Sequence, residues 1–373
     1  MKKQEINNIQ IKKILIIRLD HIGDLMLTAP MVASLRKGFA GAKITMLIGD
    51  WNREVLDKTD LVDEVIIYNS FWNKRVKVKF WNTIITLIRL RKLKFDMVIN
   101  LRGELQERLF AYFIGAPLRI GFDFGLGKIV INHLVKSNMD KHIIDRYLDI
   151  SKYLNCPVVN KELLRINFSE EDINYAKKIC KLSDCLDETL RIVIAPGAGY
   201  ATKLWDTNKF SNLAKYFTNI MNSGLRVIIV GDNKDHKLSK EMVFLSGPND
   251  SIINLVGKTS IKQLAAVISL SSLVICLDSA PMHIAASLNV PLVALFGPTR
   301  VCQWGPHSSY DSSIVISKNL DCCGCVKPKC SVNKCMQLIS EQDVIDAANK
   351  LIEKYFLNAP KKKVDIIEDS NVK

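Results

Sequence analysis

The chain has 373 residues, 48% hydrophobic and 24% charged, which is length and apolar material for two domains of ~100–200 residues and excludes a wholly disordered protein. Its formal charge of +14 is uneven: residues 1–185 carry 31 Lys and Arg against 21 Asp and Glu, residues 186–373 carry 21 against 17. That surplus suits an anionic partner (a phosphorylated glycolipid, a membrane surface or nucleic acid) and serves plain solubility equally well.

The opening Met1-Lys2-Lys3-Gln4-Glu5 is followed by polar residues rather than by a leader's apolar run. No apolar stretch reaches the ~18–20 residues of a membrane span. The longest, Leu264 to Leu277, is broken by Ser269, Ser271 and Ser272. The expectation is a cytoplasmic protein, peripheral at most at the inner face of the cytoplasmic membrane.

Ile14-Leu15-Ile16-Ile17 is a continuous apolar run, as expected of a strand buried on both faces of a parallel sheet. A helical pattern follows from Leu25 to Phe39. Lys43–Gly49 and Val65–Tyr68 read as strands, Asn82–Lys92 as a basic amphipathic helix, and Phe95–Asn100 as a fourth strand. The alternation restarts at Arg191–Ala195. It continues through a helix at Thr207–Met221, strands at Arg226–Gly231 and Ile252–Leu255, and a helix at Ile261–Leu270. A strand at Leu273–Leu277, a helix at Pro281–Leu288 and a strand at Pro291–Phe296 complete it. Alternating strands and helices predict an α/β protein of two Rossmann-like domains facing each other across a cleft. The boundary is expected in the polar, amphipathic stretch Ser169–Glu188. This gives an N-terminal domain at 1–175, a C-terminal one at 176–358 and a disordered tail at 359–373.

Ligands of such sheets bind beyond the carboxyl ends of strands, so residues there are the candidates. Arg18-Leu19-Asp20-His21-Ile22-Gly23-Asp24 follows the first strand. Asp24 reads either as a helix N-cap or as a general base on an acceptor hydroxyl, with Asp20 and His21 close enough to compete. Pro196-Gly197-Ala198-Gly199-Tyr200-Ala201-Thr202-Lys203 is a small-residue loop that lets backbone approach a phosphate, with Lys203 to neutralise it. It is not a Walker A loop, and an ordinary strand-to-helix loop explains it as well. Asp278-Ser279-Ala280-Pro281-Met282-His283 starts a helix whose amides attract anions; capping by Asp278 or Ser279 is the plainer reading. Asp235 follows a strand where a carboxylate can accept a ribose hydroxyl, or simply face solvent.

Taken in order, several groups resemble glycosyltransferase family 9, the ADP-heptose:lipopolysaccharide heptosyltransferases, which have the GT-B fold. They are Gly23-Asp24 with Thr28 and Pro30, Pro196-Gly197 with Lys203-Leu204-Trp205, Asp278-Ser279 with His283, and Phe296-Gly297-Pro298-Thr299. Asn100-Leu101-Arg102-Gly103, Arg119-Ile120-Gly121-Phe122 and Asp145-Arg146-Tyr147-Leu148 add to the likeness, which spans about residues 12–355. The resemblance implies an inverting, metal-independent transferase with no cofactor, using ADP-heptose as co-substrate and an anionic glycolipid as acceptor. It implies Asp24 as base, Lys203 on the donor diphosphate and Asp278 near the donor sugar. Gly197, Ala198, Gly199, Asp235, Ser279, Ala280 and His283 would line the donor site, and Arg18 and Arg102 would face the acceptor. Family members usually carry Gly where this chain has Ala280, and the extra methyl narrows the amide approach there.

Three other classes stand beside this one: a UDP- or GDP-sugar transferase, a sugar-nucleotide epimerase or hydrolase, and a catalytically silent binding protein. The basic charge permits a nucleic-acid binder, but no such motif appears, and none is expected as partner. Cys322, Cys323, Cys325, Cys330 and Cys335 lie within fourteen residues. Such thiols suggest zinc or iron–sulfur ligation. The family's own cysteine-containing C-terminal segment favours instead a structural loop packed back on the fold. The basic stretch Lys74–Trp81, with Arg89, Arg91, Lys92 and Lys94, reads as a solvated face or as a surface for an anionic leaflet.

Overall fold

The structure is a computed structural model that describes residues 10–72, 78–181, 190–220, 225–308 and 311–357. The expected tail, the polar junction at 182–189 and the basic residues 74–77 lie outside the described residues.

Among the described residues twelve strands form two six-stranded sheets. The first holds β1 (Lys13–Arg18), β2 (Lys43–Ile48), β3 (Glu64–Ile67), β4 (Met97–Asn100), β5 (Leu118–Phe122) and β6 (His133–Val135). The second holds β7 (Arg191–Ala195), β8 (Arg226–Ile229), β9 (Ile252–Asn254), β10 (Leu273–Leu277), β11 (Leu292–Phe296) and β12 (Ser313–Ser317). Their orders are β3-β2-β1-β4-β5-β6 and β9-β8-β7-β10-β11-β12. Each half therefore winds the same way, outward from its first strand and then back past it, with every pair parallel. The central strands have no exposed face. Ile14 to Ile17 and Leu273 to Leu277 are fully buried, as their unbroken apolar runs require.

The helices are α1 (Ile22–Met26), α2 (Ala29–Gly38), α3 (Phe80–Lys92), α4 (Leu105–Ile114), α5 (Ile143–Tyr153), α6 (Glu170–Ile179) and α7 (Thr207–Ile220). They continue with α8 (His236–Ser246), α9 (Ile261–Ser269), α10 (Ala280–Ser287), α11 (Val301–Trp304), α12 (Lys334–Gln337) and α13 (Glu341–Ile352). The single helix expected from Leu25 to Phe39 is two. Pro30 has no N–H to donate and tolerates only a first turn, so the chain restarts there.

The halves are packed together. α1 lies against α10, and α6 against α9. Lys262 at the start of α9 donates its amide to Glu54 (3.1 Å) and pairs its ammonium with Asp57. Arg165 donates to the Ser287 carbonyl (3.1 Å) and Tyr175 to that of Lys258 (2.7 Å). One apolar cluster accordingly runs through both halves, from Ile14 and Met26 to Ala265, Ile284 and Phe296.

Candidate active site

A doubly wound sheet opens a crevice where its winding reverses. In the first half that point lies between β1 and β4, in the second between β7 and β10. The candidate residues sit there. Arg18–Asp24 leave β1 and Arg102 leaves β4, while Gly197–Lys203 leave β7 and Asp278–Ala280 leave β10.

On the first side, the chain passes from β1 into α1 without a side-chain cap, so Asp24 is not an N-cap; it lies within the first turn. The loop before it is pinned through the Asp20 carbonyl, which accepts from Trp51 Nε1 (2.6 Å) and Asn52 Nδ2 (3.0 Å). The resemblance turns Arg18 toward an acceptor; in the structure its side chain is turned inward. Arg18 is only 2% exposed, beneath the loop, and its guanidinium is committed to Asp20 (3.1 Å) and Asp24 (3.0 Å) and stands over the Tyr147 ring. Burial works against its charge, but Tyr147, Asp20, Asp24 and Glu107 outweigh that and raise its pKa. Arg102 is 29% exposed and reaches the cleft edge. It joins Asp20, Glu104 and Glu107, the last at 3.2 Å. Glu107 is fully buried, and desolvation pushes its carboxyl up to about 8 despite Arg102. Burial also raises Asp20 above the usual carboxylate range.

On the second side, Lys203 pairs with Asp278 at 2.6 Å, and the Thr299 hydroxyl donates to the same carboxylate oxygen at 2.6 Å. Asp278 thus holds the Lys203 ammonium at the carboxyl end of β10. Ser279 turns its hydroxyl to the Leu277 carbonyl (3.2 Å), so no side chain caps the N-terminus of α10. Pro281 has no amide proton and the Met282 amide donates to the Ser279 carbonyl (3.1 Å), which leaves the amide of Ala280 at the helix start to face an anion. Gly197 has a reason to be glycine: a Cβ there would run into the Asp235 carboxylate, with Oδ1 2.8 Å away. That carboxylate does not face solvent. It is buried and accepts the Asp232 amide (2.9 Å) as part of a capping box, and burial raises its pKa.

The two sides meet. A Cβ on Gly23 would collide with the His283 ring, whose Nε2 lies 3.1 Å from that position, and the His21 imidazole approaches Gly199. His283, expected against the donor, is instead buried between α10 and α1. Its Nδ1 has no partner, and burial first of all pushes its pKa down to about 4, so it is neutral at neutral pH.

The late cysteines are free thiols; Cys335 is buried and Cys322, Cys325 and Cys330 are exposed. Among the described residues no three His, Cys, Asp or Glu side chains converge as a metal-binding group. The segment packs against the loops that carry Lys203 and Thr299. Thr202 donates to the Lys327 carbonyl (2.8 Å), Val326 to that of Pro298 (3.0 Å), and Cys335 and Met336 lie against Gly297. Glu107 carried no signal in sequence; Thr299 and Tyr147 stood only within the family-like groups at 296–299 and 145–148, with no role attached to either. Thr299 reaches Asp278 only because β11 lies beside β10.

A model of glycosyltransferase family 9 (heptosyltransferase) matches residues 86–336. The chain belongs to glycosyltransferase family 9. It is an enzyme of glycosyl transfer with a GT-B fold. It is 28% identical over 297 residues to lipopolysaccharide heptosyltransferase 3 of Escherichia coli K12, covering 76% of this chain and 82% of that protein. It is 25% identical to lipooligosaccharide heptosyltransferase 2 of Campylobacter jejuni, covering 89% and 96%. Among solved structures, a family 9 glycosyl transferase from Veillonella parvula superposes with a TM-score of 0.77 at 26% identity, covering 92% of this chain and 98% of that one.

Two outcomes follow for this family 9 enzyme. Gly23→Ala should cost about 1–3 kcal/mol by overpacking α1 against α10. In a denaturant cycle, Gly23→Ala with His283→Ala should be less destabilised than the two singles summed, because removing the ring removes the clash; additivity would mean the contact carries no energy. Glu107, with its folded pKa raised from 4.5 to about 8, contributes stability that is complete below 4.5 and lost as pH rises through about 8. Thermal midpoints of the parent should therefore fall across that window more steeply than those of Glu107→Gln.

Proposed function

We propose that this enzyme transfers a heptose, with inversion, from ADP-heptose to an anionic lipopolysaccharide-core acceptor, with no cofactor. The observation that carries the reading is the opposition of two prepared groups across one cleft: Asp24 fixed by buried Arg18, and Lys203 fixed by Asp278 and Thr299 beside the uncapped start of α10. Relatives named as lipopolysaccharide and lipooligosaccharide heptosyltransferases support the sugar and the acceptor class.

In the proposed step Asp24 takes the proton of the acceptor hydroxyl. The freed oxygen pair attacks the anomeric carbon from the side opposite the diphosphate. The bond from that carbon to the diphosphate oxygen breaks, and configuration inverts. Charge gathers on the departing diphosphate, where Lys203 and the positive end of α10 at Ala280 meet it. Asp278 positions Lys203, and Arg18 keeps the Asp24 carboxylate turned to the cleft. Arg102, at the cleft edge, supplies the cation nearest an anionic acceptor. Asp235, held behind Gly197, lies where the donor's ribose would reach the end of β8.

The check combines thermal unfolding against ADP, UDP, GDP and CDP with mass-spectrometric detection of product. ADP should raise the midpoint selectively. Asp24→Asn should keep that rise and lose about 100- to 10,000-fold in turnover. Lys203→Ala should lose both the ADP shift and the rate, because the diphosphate loses its cation. Near-normal turnover in Asp24→Asn removes it as base. Selective stabilisation by UDP or GDP changes the donor, and nucleotide release without acceptor replaces transfer by hydrolysis.

A further inference from the structure

Helix α3 has two apolar faces, and only one is covered. The inner face sets Leu90, Thr83 and Leu87 against the first sheet, with Thr83 sharing a hydrogen bond with Tyr68 (2.8 Å). The outer face repeats at helical spacing: Trp81, Ile85, Ile88, then Lys92. Trp81 is 68% exposed, Ile85 64% and Ile88 53%. Phe80 (54%) and Phe71 (44%) extend the ridge, their rings 5.1 Å apart and edge-on. An amphipathic surface helix hides its apolar side; one that turns a tryptophan and two isoleucines outward is made for another apolar phase.

The surroundings say which. Residues 65–95 contain eight Lys and Arg and no Asp or Glu. Lys79, Arg89, Arg91, Lys92 and Lys94 are exposed around the ridge. Two copies of this face would set like charges against each other, whereas an anionic bilayer offers acyl chains for the ridge and phosphates for its rim. Position adds a third element. In a parallel sheet every strand ends at one edge, so the loop from β3 into α3, bearing Phe71, Phe80 and Trp81, emerges at the edge that carries Asp24 and Arg102. Phe71 packs on Trp72, and Trp72 on Phe110 of α4, which tie the ridge to the element leaving β4.

The geometry points to the outer face of α3 as the surface by which the protein docks on an anionic lipid bilayer, with the N-terminal half's crevice turned toward the headgroups. Docking is independent of sugar and nucleotide; only its purpose, bringing a lipid-linked acceptor to Asp24, rests on the proposed function.

The test is sedimentation of the full chain with phosphatidylcholine vesicles, with and without phosphatidylglycerol, at low and high salt. The parent should bind the phosphatidylglycerol vesicles and release in salt. The triple variant Trp81→Ser, Ile85→Ser, Ile88→Ser should bind at least about tenfold more weakly, with an unchanged thermal midpoint and an unchanged ADP shift. Its turnover should fall on vesicle-embedded acceptor and hold on a soluble, deacylated one. Equal binding by parent and variant, or binding indifferent to phosphatidylglycerol, overturns the proposal. So does a dimer in sedimentation equilibrium that the triple variant dissolves, since the face would then belong to a second copy. If no acceptor is turned over by either protein, the vesicle data still decide docking and the proposed function alone fails.

Discussion

A guanidinium buried at the end of a central strand must be neutralised where it lies, because water cannot reach it. Arg18 meets that constraint by drawing Asp20 and Asp24 down on one side while Tyr147 rises beneath it from α5. The demand spreads. Asp20 engages Arg102 in turn, and Arg102 engages Glu107, so one buried cation organises the whole crevice between β1 and β4. Removing Asp20 or Asp24 would leave the buried Arg18 charge short of a partner in a dry place, and these pairs hold the turn that leads into Asp24. The second half obeys the same rule on a smaller scale. Asp278 takes both the Lys203 ammonium and the Thr299 hydroxyl on one carboxylate oxygen.

The cysteine-containing segment plays a mechanical part in this. It touches the Lys203 loop through Thr202 and the Thr299 loop through Pro298 and Gly297. Two loops that belong to different strands are thus braced by one piece of chain, which fixes the spacing between Lys203 and Thr299 across Asp278.

Much of this was legible in sequence, for identifiable reasons. β1, β7, β10 and β11 carry unbroken apolar runs, β2 one broken only by buried Thr45, and such runs announce strands buried on both faces. β5 carries Arg119 and Gly121, β6 has three residues, and β12 is an edge bounded by serines, so none shows that pattern. Asp24, Lys203 and Asp278 stood out because each follows a strand. Glu107 did not, since it reads as an ordinary helix-surface acid until α4 turns it inward to Arg102 five residues earlier, and Thr299 stood only within a family-like group, because sheet order is what brings it to Asp278. His283 and Arg18 illustrate the opposite limit. A polar residue beside a crevice may be aimed into it or sealed behind it, and the spacing that marks the position is the same; burial decides, and burial is a property of the partner element. The late cysteines show the same limit: their spacing suggests ligation, while among the described residues no three such side chains converge as a metal-binding group.

The winding order has a temporal side. Each half begins with its central strand, so the first sheet can be complete when synthesis has reached Val135. The joint between halves cannot. α6 waits for α9, which begins at Ile261, and α1 waits for α10 and its His283. At ribosomal speeds that delay is on the order of tens of seconds. Throughout it, Gly23 and the small surface around it stand bare on an otherwise finished domain. The cleft is therefore a late part of the molecule to exist, and the N-terminal half can be well folded long before there is a place to hold a substrate.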